Sequence, residues 1–327
     1  MRMTFRTLLL AAALAVPAAW LPPLAQAAAP MAQTQAPGYY RMALGRFEVT
    51  ALFDGVIGLD RQLLRMIPPE DAIRLLSRMF IGTPQIQTSV NAYLINTGEH
   101  LVLVDTGAAG LFGPNLGRLR QNLQAAGYQP EQVDTVLLTH LHGDHVGGLI
   151  DAAGKPVFPN ATVYVAQAES DFWLSRQNAD KASKERRESF KMASACAAPY
   201  QAAGRWKTFS GDNVELVPGI VALDAHGHTP GHTVYAVQSA GQRLLIWGDL
   251  LHAHAVQFVK PGVGMAFDND QKQAAIARRR ILQLAAREQD LVAGAHLPFP
   301  GIGHVRAEGK DSYSWVPLEF TPMSEKQ

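Results

Sequence analysis

The chain is 327 residues long, with 29 Lys and Arg against 28 Asp and Glu and a hydrophobic share of 47%. So even a charge balance, with no polybasic block, excludes a surface built for nucleic acid or for an anionic membrane. The single cysteine, Cys196, excludes an internal disulfide, and its small-residue surroundings read as those of a buried, inert thiol.

At the N-terminus, Arg2 and Arg6 precede an uncharged stretch from Leu8 through Trp20, and Ala25-Gln26-Ala27 offers the small-x-small pattern of a cleavage site. Residues 1–27 are therefore expected to be a signal peptide, which places the mature protein in the periplasm or outside the cell, free of the membrane after cleavage. A membrane anchor is disfavoured because Pro17, Pro22 and Pro23 interrupt a short apolar core. Loss of Arg2 and Arg6 leaves 27 basic against 28 acidic residues. Residues 28–38, rich in Ala, Pro and Gln, read as a flexible arm, and residues 39–327 as a single α/β domain.

From there strand follows strand. Phe47 to Phe53 alternates and ends at Asp54-Gly55, while Val90–Ile95 and His100–Val104 flank an Asn96-Thr97-Gly98 turn, a hairpin pattern. Leu116 to Ala126 predicts an amphipathic helix stopped by Gly127. An apolar strand, Val133–Leu138, comes next, then Thr162–Val165 and a helix through Phe172 and Trp173. The charge run Lys181–Glu188 reads as a solvated helix face. Further strands are predicted over Gly219–Leu223, Thr233–Val237, Arg243–Trp247 and Asp290–Ala293, with a helix of good formers over Gln271–Glu288.

Directly after the Val133–Leu138 strand stands Thr139-His140-Leu141-His142-Gly143-Asp144-His145. A strand ending in a tight turn can send His140 and His142 to one side and present Asp144 and His145 from the other. Imidazole nitrogen and carboxylate oxygen are the donors that Zn²⁺ and similar first-row ions accept. A two-metal site needs more ligands, and three later strand ends supply candidates: His226-Gly227-His228-Thr229-Pro230-Gly231-His232, Gly248-Asp249 and Gly294-Ala295-His296. Spacing alone leaves open which histidine of 226, 228 and 232 is the ligand.

Taken together with Asp105-Thr106-Gly107, these segments resemble the metallo-β-lactamase superfamily, over the chain from about residue 40. The resemblance implies a four-layer αβ/βα sandwich with a dinuclear metal site between the sheet edges. It implies that one metal takes His140, His142 and His228, that the other takes Asp144, His145 and His296, and that Asp249 bridges. His232 and Asp105 would support ligands from behind, while His226, His100, His254 and His304 would hold no metal. Zinc is the default ion, and iron, manganese or cobalt suit the same donors.

Such a pair of divalent ions, about 3.5–4 Å apart, lowers the pKa of a bridging water. The implied reaction is hydrolysis by a metal-bridging hydroxide, with Asp144 or Asp249 collecting the released proton. No Gly-x-Ser-x-Gly elbow offers a nucleophilic serine instead. Four stretches, Pro37–Met42, Val104–Pro114, Asp171–Ser175 and His296–His304, are similar to the methyl parathion hydrolase group, a secreted subgroup that includes dihydrocoumarin hydrolases. That likeness implies a homodimer and an aromatic wall of Phe112, Trp173 and Phe190 around a flat leaving group. The chain departs from the organophosphate specialists at His252 and Phe267, where they carry an apolar and a smaller side chain, with Met265 nearby. A smaller, more polar pocket suits a planar lactone or aryl ester (dihydrocoumarin-like), with organophosphate triester hydrolysis the second expectation. β-Lactam hydrolysis ranks lower, since Asp144 and a bridging Asp249 belong to the lactonase-like branches.

Overall fold

The computed structural model describes residues 29, 31–82 and 84–323, so the expected signal peptide lies outside the described residues. Residues 37–327 form one compact unit. Among the described residues no helix is long and apolar enough to cross a membrane.

Two seven-stranded sheets make the centre, and each runs through its strands in sequence order. The first consists of β1 (Tyr39–Leu44), β2 (Phe47–Asp60), β3 (Gln85–Asn96), β4 (Leu101–Val104), β5 (Thr135–Leu137), β6 (Thr162–Ala166) and β7 (Trp206–Phe209). The second consists of β8 (Val214–Val217), β9 (Ile220–Asp224), β10 (Thr233–Ser239), β11 (Gln242–Ile246), β12 (Leu291–Ala293), β13 (Ile302–Gly309) and β14 (Ser312–Pro317). Pairing is antiparallel except along β4-β5-β6-β7 and between β11 and β12. Those parallel joints need crossovers, and the helices supply them.

Leu44, Val49, Tyr93, Val102, Val104 and Leu137 of the first sheet pack on Ile220, Tyr235, Val237, Leu244, Ile246 and Ala293 of the second, all fully or nearly fully buried. The outer face of the first sheet is covered by α2 (Leu119–Ala125), α4 (Gln167–Trp173) and α6 (Lys184–Ala202), through Leu119, Leu123, Trp173, Phe190, Ala193 and Tyr200. The outer face of the second is covered by α8 (Gln271–Glu288), whose Ala277, Ile281, Leu282 and Ala285 lie along one stripe. Ile281 and Leu282 alone withdraw enough apolar surface to favour the packed state by roughly 1.5–3 kcal/mol each. Helix, sheet, sheet, helix: the four-layer expectation holds.

Local differences from the sequence reading have local causes. β2 continues beyond Phe53 to Asp60 because a bulge at Phe53/Gly55 absorbs the Asp-Gly pair that reads as a stop. The helix expected from Leu116 begins at Leu119, because Gly113 and Gly117 take left-handed φ of 97° and 86° and keep the preceding segment a loop. The run Lys181–Glu188 is not one face: it spans the end of α5 (Arg176–Lys181) and the exposed first turn of α6. Cys196 is buried on α6, where burial pushes its thiol up to about 12, as an inert thiol requires.

One buried carboxylate organises the loop between β4 and α2. Asp54 Oδ2 accepts from the Ala108 and Gly117 N–H groups at 3.0 and 3.1 Å, and Oδ1 accepts from Leu119 N–H at 3.0 Å, capping α2 from the β2 strand. Asp54→Ala strands three donors, two of them buried, so metal-free protein should lose about 3 kcal/mol of unfolding free energy in urea titration. A loss below about 1 kcal/mol would mean that water replaces the carboxylate there.

Candidate metal centre

The C-terminal ends of β4, β5, β9, β11 and β12 open toward one edge of the sandwich, and each delivers one part of the centre. After β5, the chain leaves the sheet as Thr139-His140-Leu141-His142 and turns into the short helix α3 (Gly143–Val146), which carries Asp144 and His145. The loop after β9 brings His228 and His232, the turn after β11 brings Asp249, and the loop after β12 brings His296. His140, His145, His228, His232, Asp249 and His296 are all buried, while His142 and Asp144 are half-buried and face the opening.

The donors converge as two groups that share one carboxylate. His140, His142, His228 and Asp249 can aim ligand atoms within 4.8 Å of one another, and so can Asp144, His145 and His296. Asp249 divides its oxygens between them. Oδ2 lies 3.5 Å from His140 Nε2 and 3.2 Å from His228 Nε2, whereas Oδ1 lies 2.9 Å from His145 Nε2 and 3.0 Å from His296 Nε2. Asp144 Oδ2 stands 3.6 Å from His145 Nε2 and 3.5 Å from His296 Nε2.

Four of the five imidazoles are turned by a partner on the far nitrogen, whereas His142 Nδ1 meets His228 Nε2 at 3.0 Å. His145 Nδ1–H donates to Asp105 Oδ2 at 2.8 Å, His228 Nδ1–H to Asp268 Oδ1 at 2.7 Å, and His296 Nδ1–H to the Ser89 carbonyl at 2.8 Å. His140 Nδ1–H donates to Thr139 Oγ1 at 3.1 Å, and that hydroxyl donates on to Asp105. These bonds turn the Nε2 atoms of His140, His145, His228 and His296 inward, toward Asp249. His140 Nε2, His145 Nε2 and Asp249 Oδ1 are buried with no hydrogen-bond partner, a costly state in an apolar interior unless an ion completes it. The donor set and its orphaned atoms fit a pair of divalent metal ions.

Charge tells the same story. Burial would raise the Asp249 carboxyl, but His145, His296, His140 and His252 around it hold it well below the ordinary carboxylate range. Burial depresses His228, yet hydrogen bonds and charge from Asp249 and Asp268 carry it up to about 9. His145 and His296 are likewise raised against burial, both by Asp249 first. His140 and His142 are pulled well below the usual histidine value by burial and by their cationic neighbours. His232 is lowered to about 3 by burial, so it is neutral: Nδ1–H faces the Ala225 carbonyl at 3.2 Å and Nε2 accepts the Asp249 N–H at 3.0 Å.

The sequence-predicted positions thus divide. The seven expected ligand residues from His140 to His296, together with Asp105 and His232, are brought to one place. His226 is exposed beside Asp224, and His100 and His304 lie elsewhere. The pocket residues are another matter. Phe112 is exposed at 42% and its ring covers Gly143 at the mouth. Trp173 and Phe190 are 1% and 2% exposed and pack on each other at 4.7 Å inside the core, with Trp173 meeting only the edge of the site through His142, at 5.2 Å. Met265 is wholly buried among Leu64, Leu75 and Val256, so it is core and not wall. Half-buried Phe267 sits 5.8 Å from His228 and 5.0 Å from His252. His252 goes deeper than a pocket wall: its Nε2 lies 2.9 Å from Asp249 Oδ2 and its ring stacks on His296 at 5.0 Å.

Asp268 was not legible beforehand. It stands 40 residues after His228 in a Asp268-Asn269-Asp270 turn whose plain reading is helix capping, a role that Asp270 does fill by accepting from Lys272 and Gln273 N–H. A groove of about 1690 Å³ lies at the opposite ends of the strands, lined among others by Arg46, Glu48, Arg243 and Asp290, and holds none of the clustered histidines.

Comparison with known proteins agrees with this geometry. A family profile described as the metallo-beta-lactamase superfamily matches residues 86–296. The crystal structure of the hydrolase AbOPH, of the beta lactamase superfamily, superposes with a TM-score of 0.84 at 40% identity, over 88% of this chain and 100% of that one. AidC, a dizinc quorum-quenching lactonase solved with a product, superposes with a TM-score of 0.80 at 28% identity, over 87% and 99%. An N-acyl homoserine lactonase of Bacillus sp is 28% identical over 225 residues, 62% of this chain and 79% of that protein.

Metal uptake should release protons. His228, carried up to about 9 by Asp249 and Asp268 in the metal-free protein, holds a proton at about pH 7 that a metal must displace, and the upward shifts of His145 and His296, led by Asp249, work in the same direction. Apparent affinity should therefore climb as pH rises from about 6 to 9, with net proton release seen by calorimetry in buffers of different ionisation heat. Uptake without proton release would contradict the charge assignment.

Proposed function

This chain belongs to the metallo-beta-lactamase superfamily and is a metallo-hydrolase of it, and from that premise we propose that it opens lactones, with aryl esters of dihydrocoumarin type in the same class. The observation that carries the proposal is the division of the Asp249 carboxylate, Oδ1 toward His145 and His296 and Oδ2 toward His140 and His228. In this reading His140, His142 and His228 hold one divalent ion, Asp144, His145 and His296 hold the other, and Asp249 joins them. Zinc suits the three-imidazole side and the mixed side equally. Bound there, the ions supply an acidified water for attack and Lewis-acid polarisation of the scissile carbonyl.

The residues do the rest. Asp144, half-buried at the opening with its Oδ2 beside His296, is placed to take a proton and pass it to solvent. His252 donates to Asp249 Oδ2 and, with the edge of Phe267, narrows the space beside His228. A planar ring with one carbonyl suits that space better than a tetrahedral phosphorus bearing two alkoxy arms. The lactonases among the similar proteins support the substrate class. The stretches Val104–Pro114 and His296–His304 support the narrower reading, a secreted, homodimeric relative of the dihydrocoumarin and methyl parathion hydrolases.

Two measurements test the substrate. kcat/KM for zinc-loaded protein should favour dihydrocoumarin or an N-acyl homoserine lactone over methyl parathion by tenfold or more, about 1.4 kcal/mol of transition-state stabilisation. The reverse order would assign the chain to phosphotriester hydrolysis. His252→Leu combined with Phe267→Leu should shift that ratio toward the triester, and an unmoved ratio would remove both residues from substrate selection.

A further inference from the structure

Glu169 is a carboxylate in the wrong place for an ordinary one. It sits in the first turn of α4, is 0% exposed, and among the described residues makes no ion pair, with His228 acting on it only through space. An anion so buried is expensive unless its oxygens are satisfied. Both are, by backbone. Oε1 accepts the Leu141 N–H at 3.0 Å and Oε2 accepts the Gly231 N–H at 2.8 Å. Leu141 lies between His140 and His142, and Gly231 lies between His228 and His232. The two loops are 90 residues apart in the chain, come from different sheets, and carry all three imidazoles of one cluster.

The approach is close enough to dictate a residue. A Cβ on Gly231 would stand 2.5 Å from Glu169 N and 2.7 Å from Glu169 Cβ, so the loop passes over α4 only because that position is glycine. Nor would glutamine substitute for the acid, since an amide offers one acceptor and turns its NH₂ against the second N–H.

We propose that Glu169 is a positioning residue of the metal centre, its two oxygens fastening the His140–His142 loop to the His228–His232 loop and so fixing the spacing of the three-histidine cluster. Among the described residues Asp144, His145 and His296 form no hydrogen bond or ion pair with it, and His145 and His296 keep supports that Glu169 does not touch, Asp105 (which also holds Thr139 beside His140) and the Ser89 carbonyl. The effect is therefore selective for one of two ions. This inference rests on the two-metal reading above.

The test is Zn²⁺ titration of metal-free protein against a chromophoric chelator, for the unaltered chain, Glu169→Gln, Glu169→Ala and Leu123→Ala. Leu123 is a buried residue of α2, outside both loops, and controls for lost stability. Glu169→Gln should bind one ion with unaltered affinity and the other at least tenfold more weakly, the order expected for loss of a group that orients ligands. Glu169→Ala should weaken the same ion by as much or more. Leu123→Ala should lower Tm and leave both affinities unchanged. Equal affinities in Glu169→Gln and the unaltered chain would overturn the assignment, as would equal weakening of both ions. Failure of the unaltered chain to bind two ions would instead strike the functional reading itself.

Discussion

A carboxylate enclosed by imidazoles is the constraint around which this molecule is arranged. Asp249 has His140, His145, His228, His252 and His296 within 3.5 Å of its oxygens, all buried. Neither component tolerates that depth alone: an unpaired carboxylate or imidazolium in a poorly solvating interior costs several kcal/mol. Together they keep Asp249 charged and raise His145, His228 and His296, while burial keeps His140 and His252 low, and further out Asp105 and Asp268 complete the exchange with His145 and His228. Each outer carboxylate also fixes which ring nitrogen stays bare. Electrostatics and orientation are one arrangement here, and the sheets, with their consecutive strand order, serve to bring it to a single edge.

The ligands were legible in the sequence because their chemistry is out of keeping with their surroundings. His140 to His145, Asp249 and His296 each stand just past an apolar run, where a solvated turn would ordinarily carry Gly, Asn or Ser. The α8 boundaries were legible too, since good helix formers fill Gln271–Glu288 and Asp270 caps them. The supports were not. Asp54, Glu169 and Asp268 accept hydrogen bonds from residues 28 or more positions away, and an acidic residue alone in a strand, helix or turn has no local mark of that. The naming of His228 over His226 and His232 came from family likeness, and geometry supplies the reason: His232 is used up between Ala225 and Asp249, and His226 faces Asp224 in solvent.

Aromatic residues misled for the opposite reason. Trp173 and Phe190 are as suited to a core as to a binding wall, and sequence alone does not separate the two uses. They form the packed base on which His142 rests, so they act on the site through its rigidity, while Phe112 and Phe267 are the rings at the opening. His252 moved inward for a positive cause, a hydrogen bond to the shared carboxylate. Under the proposed function, substrate choice and support of Asp249 meet in one side chain, and a change there that widens the pocket also removes a donor from Asp249.

The chain crosses from the first sheet to the second at Ser210-Gly211-Asp212-Asn213, between β7 and β8. Before that turn lie His140, His142, Asp144 and His145; after it lie His228, Asp249 and His296. Neither ion would find a full set of donors on one side of it. A peptide-bond cut at this turn would yield two pieces, each with part of the coordination sphere and one uncovered apolar face, so added metal would govern their reassembly as a dose-dependent adhesive.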